Sequence, residues 1–246
     1  MSAICERTVA RVEGLRNLPP FPRIALQILE LLSDDEVKMR QLTDLLDDDP
    51  AFAAEIIGAA NSALFSYHGS VATVPQAVVR VGFSFMKSLA MTVAMRSYVR
   101  RALKLPVLRR CWVHSVATAV LAEELAASIN FENECTYTGA LLHDIGRLGL
   151  LAAYGERYAK LLEQAGAERV TLQAMESEAL GIDHCQAGQW LAAEWQLPAK
   201  IIDVIRLHHT VSLESDPINV PYIVTAACRF SEALGFGAIA PPTRLG

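Results

Sequence analysis

The chain has 246 residues, 52% of them hydrophobic, with 22 basic and 27 acidic side chains and a formal charge of −5. That length holds one large domain or two smaller lobes, and it buries enough of the unfolded surface to need no cross-links. The acidic balance excludes a general nucleic-acid binder, and an Ala- and Leu-rich, Gly-poor composition with short β-branched runs favours helices throughout.

In chain order, a first helix is expected to end near Asn17, before the rigid turn LPPFP at 18–22. A helix follows from about Arg23 to Leu32. Ser33-Asp34-Asp35 breaks it and caps the next, about Val37 to Leu46. Asp49-Pro50 opens another, with Asp as N-cap and Pro at the first position. The stretch 66–75 reads as a loop. A helix from Pro75 stops at Gly82, a left-handed cap, and a long one spans about Phe83 to Leu103. The segment KLPVLRR at 104–110 divides the chain into lobes at 1–105 and 106–246. The second lobe holds helices at about 107–129, through 140–151, around 155–165 and 171–180, from His184, at 198–209 and at about 219–235. The tail GAIAPPTRLG carries no element signal, and no strand or fixed repeat is expected.

Other features bound location and partners. Residues 56–79 lack Asp, Glu, Lys and Arg, but Asn61, Ser62, Ser66, His68, Pro75 and Gln76 argue against a membrane span. The start MSAICERTVARVEG has charges and no apolar core, so it does not read as a signal peptide. The five cysteines (Cys5, Cys111, Cys135, Cys185, Cys228) include no Cys-x-x-Cys, which indicates neither a disulfide framework nor a zinc ribbon and fits a reducing cytoplasm. Arg96, Arg100, Arg101, Lys104, Arg109 and Arg110 cluster without an acidic residue. This reads as a solvated face and linker, with an anion- or partner-binding patch as the sharper alternative.

The chemistry concentrates around His143-Asp144, set in the apolar run ALLHDIGRLGLL. Burying both groups unpaired is costly, and either a metal ion or a hydrogen-bond network offsets that cost. Four further histidines share the second lobe: His114, His184, His208 and His209. His114 lies on the helical stripe Cys111, His114, Thr118, Leu121, Leu125. His184 starts a helix behind an Asp183/Gln186 capping box, on the stripe His184, Gly188, Leu191, Trp195. His208 continues Ile201 and Ile205. One inward histidine is ordinarily a satisfied core residue; several, from different helices, with an inward Asp, point to a site.

These residues carry a family resemblance. LPPFP, LDDDPAFAAEIIGAANSALFS at 46–66 and VPQAVVRVGFSFMKSLAM at 74–91 resemble the bacterial HDOD family, named for its HD-related output domain. CWVHSVATAVLAEELA, ALLHDIGR, DHCQAGQWLAAEWQLP and IRLHH resemble the HD superfamily of metal-dependent phosphohydrolases, and together the likeness covers about residues 15–235. It implies an all-α fold of two packed helical lobes, the C-terminal one an HD-like bundle. It also implies a role in signal transduction and a divalent transition metal (iron, manganese or zinc) at partial or absent occupancy. In the pattern His114 matches the first histidine, His143 and Asp144 the HD pair, and His184 with His208 or His209 the additional metal histidines. Arg147 stands where active members carry a Lys that holds phosphate.

Three departures weigh against full activity. The closing Asp of the family aligns with Cys228, where a thiolate can substitute as a ligand or a small apolar residue can simply fill space. Arg110 stands where some multi-metal members carry an acid. After His209 the sequence reads TVSLESDP without Gly-Tyr-Pro, which excludes the cyclic-di-GMP phosphodiesterase branch. The first expectation is a non-catalytic regulatory module with a degenerate metal site, working through a regulatory protein partner or a small phosphate-containing or anionic ligand, without membrane or specific nucleic-acid binding and with oligomerisation open. The second is a phosphohydrolase with an altered ligand set, in which Asp144 and Arg147 are catalytic. The third is a helical scaffold whose histidines only hydrogen-bond.

Overall fold

Helix starts are written locally. Asp49 accepts from the Ala51 and Phe52 amides and puts Pro50 at the first helical position. Asp183 and Gln186 close the expected capping box, and Asn219 caps the helix that begins at Val220 by accepting from the Tyr222 amide. In the computed structural model these signals produce an all-α chain. The structure describes residues 13–32, 39–62, 70–102, 107–131, 133–165 and 171–239, and among them there is no strand.

The chain divides into two compact units, Phe21–Tyr98 on one side and Val99–Gly246 with Met1–Pro20 on the other. The first contains α1 (Arg23–Leu32), α2 (Met39–Asp47), α3 (Pro50–Ala60), α4 (Val74–Val81) and most of α5 (Phe83–Ala102). Its core includes Ile28, Leu42, Leu46, Ile56, Val74 and Met91, all buried. Asn61, from the NSA signature, fixes the approach to α4. Its amide donates to the Val71 carbonyl at 2.8 Å, its oxygen accepts from the Val71 amide at 2.9 Å, and Arg80 donates to that same oxygen at 3.0 Å. Gly82 ends α4 at a positive φ of 86°, although its ψ of 154° makes the cap extended rather than left-handed helical. In the basic stretch, Arg96 pairs with Glu55 at 3.0 Å.

The second unit holds α6 (Val107–Ser128), α7 (Cys135–Leu142), α8 (Ile145–Tyr154), α9 (Glu156–Ala165), α10 (Leu172–Leu180), α11 (His184–Glu194), α12 (Ala199–Leu207) and α13 (Val220–Ser231). The long α6 packs on α7 and α13, while α11 packs on α8 and α12.

Three expectations are revised. The segment before Asn17 is a 3-10 turn, Glu13–Asn17, and not the end of an α-helix; its buried Leu15 docks against α8, where the bare face of Gly149 receives it. The run 140–151 is two helices, broken at His143-Asp144, with Asp144 at φ −100°, ψ 18°. The last helix ends at Ser231 and passes into a π-type turn, Glu232–Phe236, closed by Gly235 at φ 89°. The division by contacts falls after Tyr98, and it places the N-terminal turn with the second unit. The expected Ser33–Val37 break, His68, the 104–106 linker and the tail from 240 lie outside the described residues.

Candidate metal centre

The break at His143-Asp144 puts the pair where four helices meet. Just past it, Gly146 lies so close to α11 that an added Cβ would stand 1.8 Å from the His184 carbonyl oxygen and 2.6 Å from the Gly188 amide. Gly188 in turn faces Ile205 on α12 and Gly146 itself. This glycine-to-glycine crossing brings the start of α11, with His184, onto Asp144. His208 caps the end of α12, its carbonyl held by Thr225 of α13 at 2.9 Å. His114 enters from the middle of α6, where Thr118 and Ser231 stitch α6 to α13 through a 3.0 Å hydroxyl contact.

Asp144 is 2% exposed, and His114, His143, His184 and His208 are each at or below 1%. The histidines divide between the two carboxylate oxygens. Nε2 of His114 and of His143 both lie 3.4 Å from Oδ2. Nε2 of His208 lies 3.4 Å, and that of His184 3.6 Å, from Oδ1. Cys228 joins the first group, its Sγ 3.6 Å from His114 Nε2. His209 lies beside His208 and His184, its ring centroid 4.2 Å and 5.0 Å from theirs, so His208 is the one that faces Asp144 directly.

Each of the four facing histidines turns its Nδ1 outward to an oxygen. The partners are the Phe236 carbonyl for His114 at 3.1 Å, Ala140 for His143 at 2.6 Å, Ile205 for His208 at 2.9 Å and the Glu176 carboxylate for His184 at 2.7 Å. For His114, His143 and His208, a donor at Nδ1 fixes the neutral tautomer with its Nε2 lone pair directed inward, while the Glu176 carboxylate at Nδ1 of His184 favours that ring's cationic form. Those lone pairs then face one another (His114 and His143 Nε2 are 3.3 Å apart) and a carboxylate whose oxygens have no hydrogen-bond partner. Buried acceptors opposing acceptors are unfavourable unless a cation lies between them. The donor set therefore fits a divalent transition metal, in three overlapping groups among the described residues, His184/Cys185/His208/His209, His114/His143/Cys228 and His143/Asp144/His208.

Electrostatics pull in several directions. Burial alone would raise the Asp144 carboxyl, but Arg147, followed by His143, holds it well below the usual carboxylate range. Burial lowers His114 to about 4 and also lowers His143, His208 and His209. At His184, burial and Arg147 act downward, yet Glu176 outweighs them and raises it to about 10. Burial pushes the Cys228 thiol well up, with Asp144 adding to it. Arg147 is buried with its Nε 3.0 Å from Asp144 Oδ1, within ion-pair range but not aligned as a hydrogen bond. Arg110 is partly buried on α6.

Sequence reasoning missed Glu176, Tyr158 and Ser231. Glu176 is fully buried and accepts from the His184 amide at 2.9 Å, from His184 Nδ1 and from the Tyr158 hydroxyl at 2.5 Å. Its signal was present: Glu176 shares the helical face of Leu172, Met175 and Leu180, an inward charge on an apolar stripe. Ser231 stands 3.0 Å from His114 Nδ1 and donates to the Cys228 carbonyl at 2.8 Å.

The family model described as the HDOD domain matches residues 18–211. A crystal structure of an HDOD domain protein of unknown function from Geobacter sulfurreducens is similar at 25% identity with a TM-score of 0.81, covering 97% of this chain and 83% of that one. A protein of Marinobacter aquaeolei VT8, provisionally named a signal transduction protein, shares the fold at 23% identity and a TM-score of 0.75, covering 92% of this chain and 51% of that one. An uncharacterized protein of Treponema pallidum (strain Nichols) is 24% identical over 201 residues, which is 81% of this chain but only 39% of the length of that relative.

Proposed function

Because this chain belongs to the HDOD domain family, we propose that it is a signal-transduction module: its HD-like lobe keeps a metal pocket and acts by binding a partner, without turning over a phosphate ester. The observation that carries this reading is Arg147. An ion on the His184/His208 side would be held by Oδ1 of Asp144, and that oxygen already has a buried guanidinium 3.0 Å away. A permanent cation there opposes a second metal on the His184/His208 side. It also engages the side chain that the family pattern would offer to phosphate. The burial of Asp144 and its histidines agrees, since hydrolysis needs an open position where water and substrate reach the ion. A metal bound at the Oδ2 side would supply Lewis acidity; the histidines and Asp144 hold its place, while Glu176 and Ser231 orient the imidazoles.

The binding role has its own support. Phe230, Leu234 and Phe236 are exposed where α13 runs into the π-type turn, and the Phe236 carbonyl reaches His114. An apolar surface so close to the pocket suits a regulatory protein partner that senses its state. The marinobacterial neighbour's signalling name is in keeping with this.

The second reading is a metal-dependent phosphohydrolase, favoured by the convergence of four Nε2 atoms on one carboxylate. The two readings separate in one assay. Protein reloaded with manganese, iron or zinc is tested on nitrophenyl phosphate mono- and diesters and on nucleotides. The expected result is turnover no higher than that of His143→Ala. Enzyme-like turnover that His143→Ala abolishes overturns the first reading.

A further inference from the structure

We propose that Cys228 is a metal ligand, so that His114, His143, Asp144 and Cys228 form a closed four-coordinate site for a thiophilic divalent ion of the zinc class. The inference rests on the metal-pocket reading above and specifies its fourth ligand and its metal.

Interatomic distances give the first argument. An ion bound tetrahedrally by nitrogen and oxygen at about 2.0–2.1 Å and by sulfur at about 2.3 Å needs ligand–ligand edges of about 3.3–3.4 Å for N···N and N···O, and about 3.6 Å for N···S. The protein shows 3.3 Å between His114 and His143 Nε2, 3.4 Å from each of them to Asp144 Oδ2, and 3.6 Å from His114 Nε2 to Cys228 Sγ. An octahedral ion with oxygen and nitrogen ligands at about 2.0–2.1 Å needs adjacent edges of only about 2.9 Å. The four distances are thus those of edges around a tetrahedral rather than an octahedral ion, and the sulfur-bearing one is the longest of them.

Charge gives the second. Arg147 already neutralises Asp144 through Oδ1. A divalent ion held only by neutral imidazoles and that carboxylate would bring two uncompensated positive charges into a buried site. A thiolate removes one. On binding, the Cys228 S–H bond is replaced by an S–metal bond and its proton leaves to solvent; no atom changes oxidation state.

Support around the ligands gives the third. Ser231, one turn after Cys228, donates to the Cys228 carbonyl and sits 3.0 Å from His114 Nδ1, so one residue positions two of the four ligands. Both residues lie beyond the region matched by the family model, which ends at 211. The fold of α13 brings Cys228, which the resemblance aligns with the family's closing Asp, and Ser231 to the pocket. With four protein ligands, all buried, the site has no open position for a reacting water, so the ion it holds is structural or regulatory.

Cobalt(II) tests this directly. The full chain, reduced and freed of metal, is titrated with cobalt and separately with zinc, alongside Cys228→Ser, Cys228→Asp and Cys185→Ser; circular dichroism confirms that each variant is folded. Cys185 is included because it lies near His184, His208 and His209. The expected result is one cobalt per chain, with a near-ultraviolet sulfur-to-cobalt charge-transfer band and the intense visible bands of tetrahedral cobalt. The charge-transfer band persists in Cys185→Ser and vanishes in Cys228→Ser, and zinc affinity falls at least about tenfold in Cys228→Ser. Cys228→Asp binds metal without the band. Stoichiometric cobalt with no sulfur band, a band that follows Cys185, or unchanged zinc affinity in Cys228→Ser overturns the role of Cys228 while the metal pocket stands. A wild-type chain that binds neither metal overturns both.

Discussion

Glu176 shows how much one unassigned side chain contributes to the site. It holds His184 by the backbone amide and by Nδ1, and it receives the Tyr158 hydroxyl, all out of contact with water. Removing one partner of a buried charged network leaves the others uncompensated, at about 3–5 kcal/mol. Glu176→Ala is therefore expected to lose that much unfolding free energy in urea, whereas Tyr158→Phe loses about 1–2 kcal/mol because a single hydrogen bond goes. Equal stability of Glu176→Ala and wild type would contradict this account. His114 gives a pH dependence. Burial holds its folded value at about 4, below the ordinary 6.5. Between those values the unfolded chain binds a proton that the folded chain refuses, so stability is full above 6.5 and declines as pH falls toward 4. The buried His143, His208 and His209 push the same way. Urea midpoints measured in chelator across that interval are expected to drop steadily; a flat profile would rule out neutral, buried imidazoles.

At the scale of elements, the crossing of α8 and α11 decides whether a site exists. Gly146 and Gly188 let two helix backbones meet, and the meeting point lies two residues after Asp144 and four residues after His184 respectively. Gly146→Ala places a methyl 1.8 Å from a backbone oxygen, which no rotamer change relieves. We expect this variant either to fail to fold or to part α8 from α11 and abolish metal binding, as read by circular dichroism and cobalt titration. Normal folding with wild-type cobalt affinity would show that the crossing is not needed. The local signals at this scale were legible: the Asp49 and Asp183 caps, the Pro50 start and the long α6 all follow from residue chemistry at fixed offsets. The break at His143-Asp144 was not. No Gly or Pro occupies the break itself, and the apolar run on either side reads as continuous because both halves are buried.

For the whole molecule, metal and stability are linked. An ion that binds only the folded chain stabilises it by about 4 kcal/mol at a thousandfold excess over its dissociation constant. Added zinc is thus expected to raise the unfolding midpoint, and chelator to lower it; a midpoint indifferent to both would count against a resident ion. No single helix among the described residues is long and apolar enough to cross a membrane, in line with the polar residues scattered through 56–79.

The sequence by itself determined the helical class, most helix starts, the family and the identity of the residues that could meet: His114, His143, Asp144, His184 and His208. These are properties of periodicity, capping and residue type, which act over a few positions and can be read without knowing the fold. The tertiary structure decided how those residues are shared out: which oxygen of Asp144 each histidine faces, that His208 rather than His209 does so, that Arg147 turns inward to Asp144, and that Glu176 and Ser231 stand around them. Such choices depend on helix crossings between segments up to 122 positions apart, as between His114 and Phe236. They are settled by backbone contact at two glycines, an interaction that leaves no periodic trace along the chain.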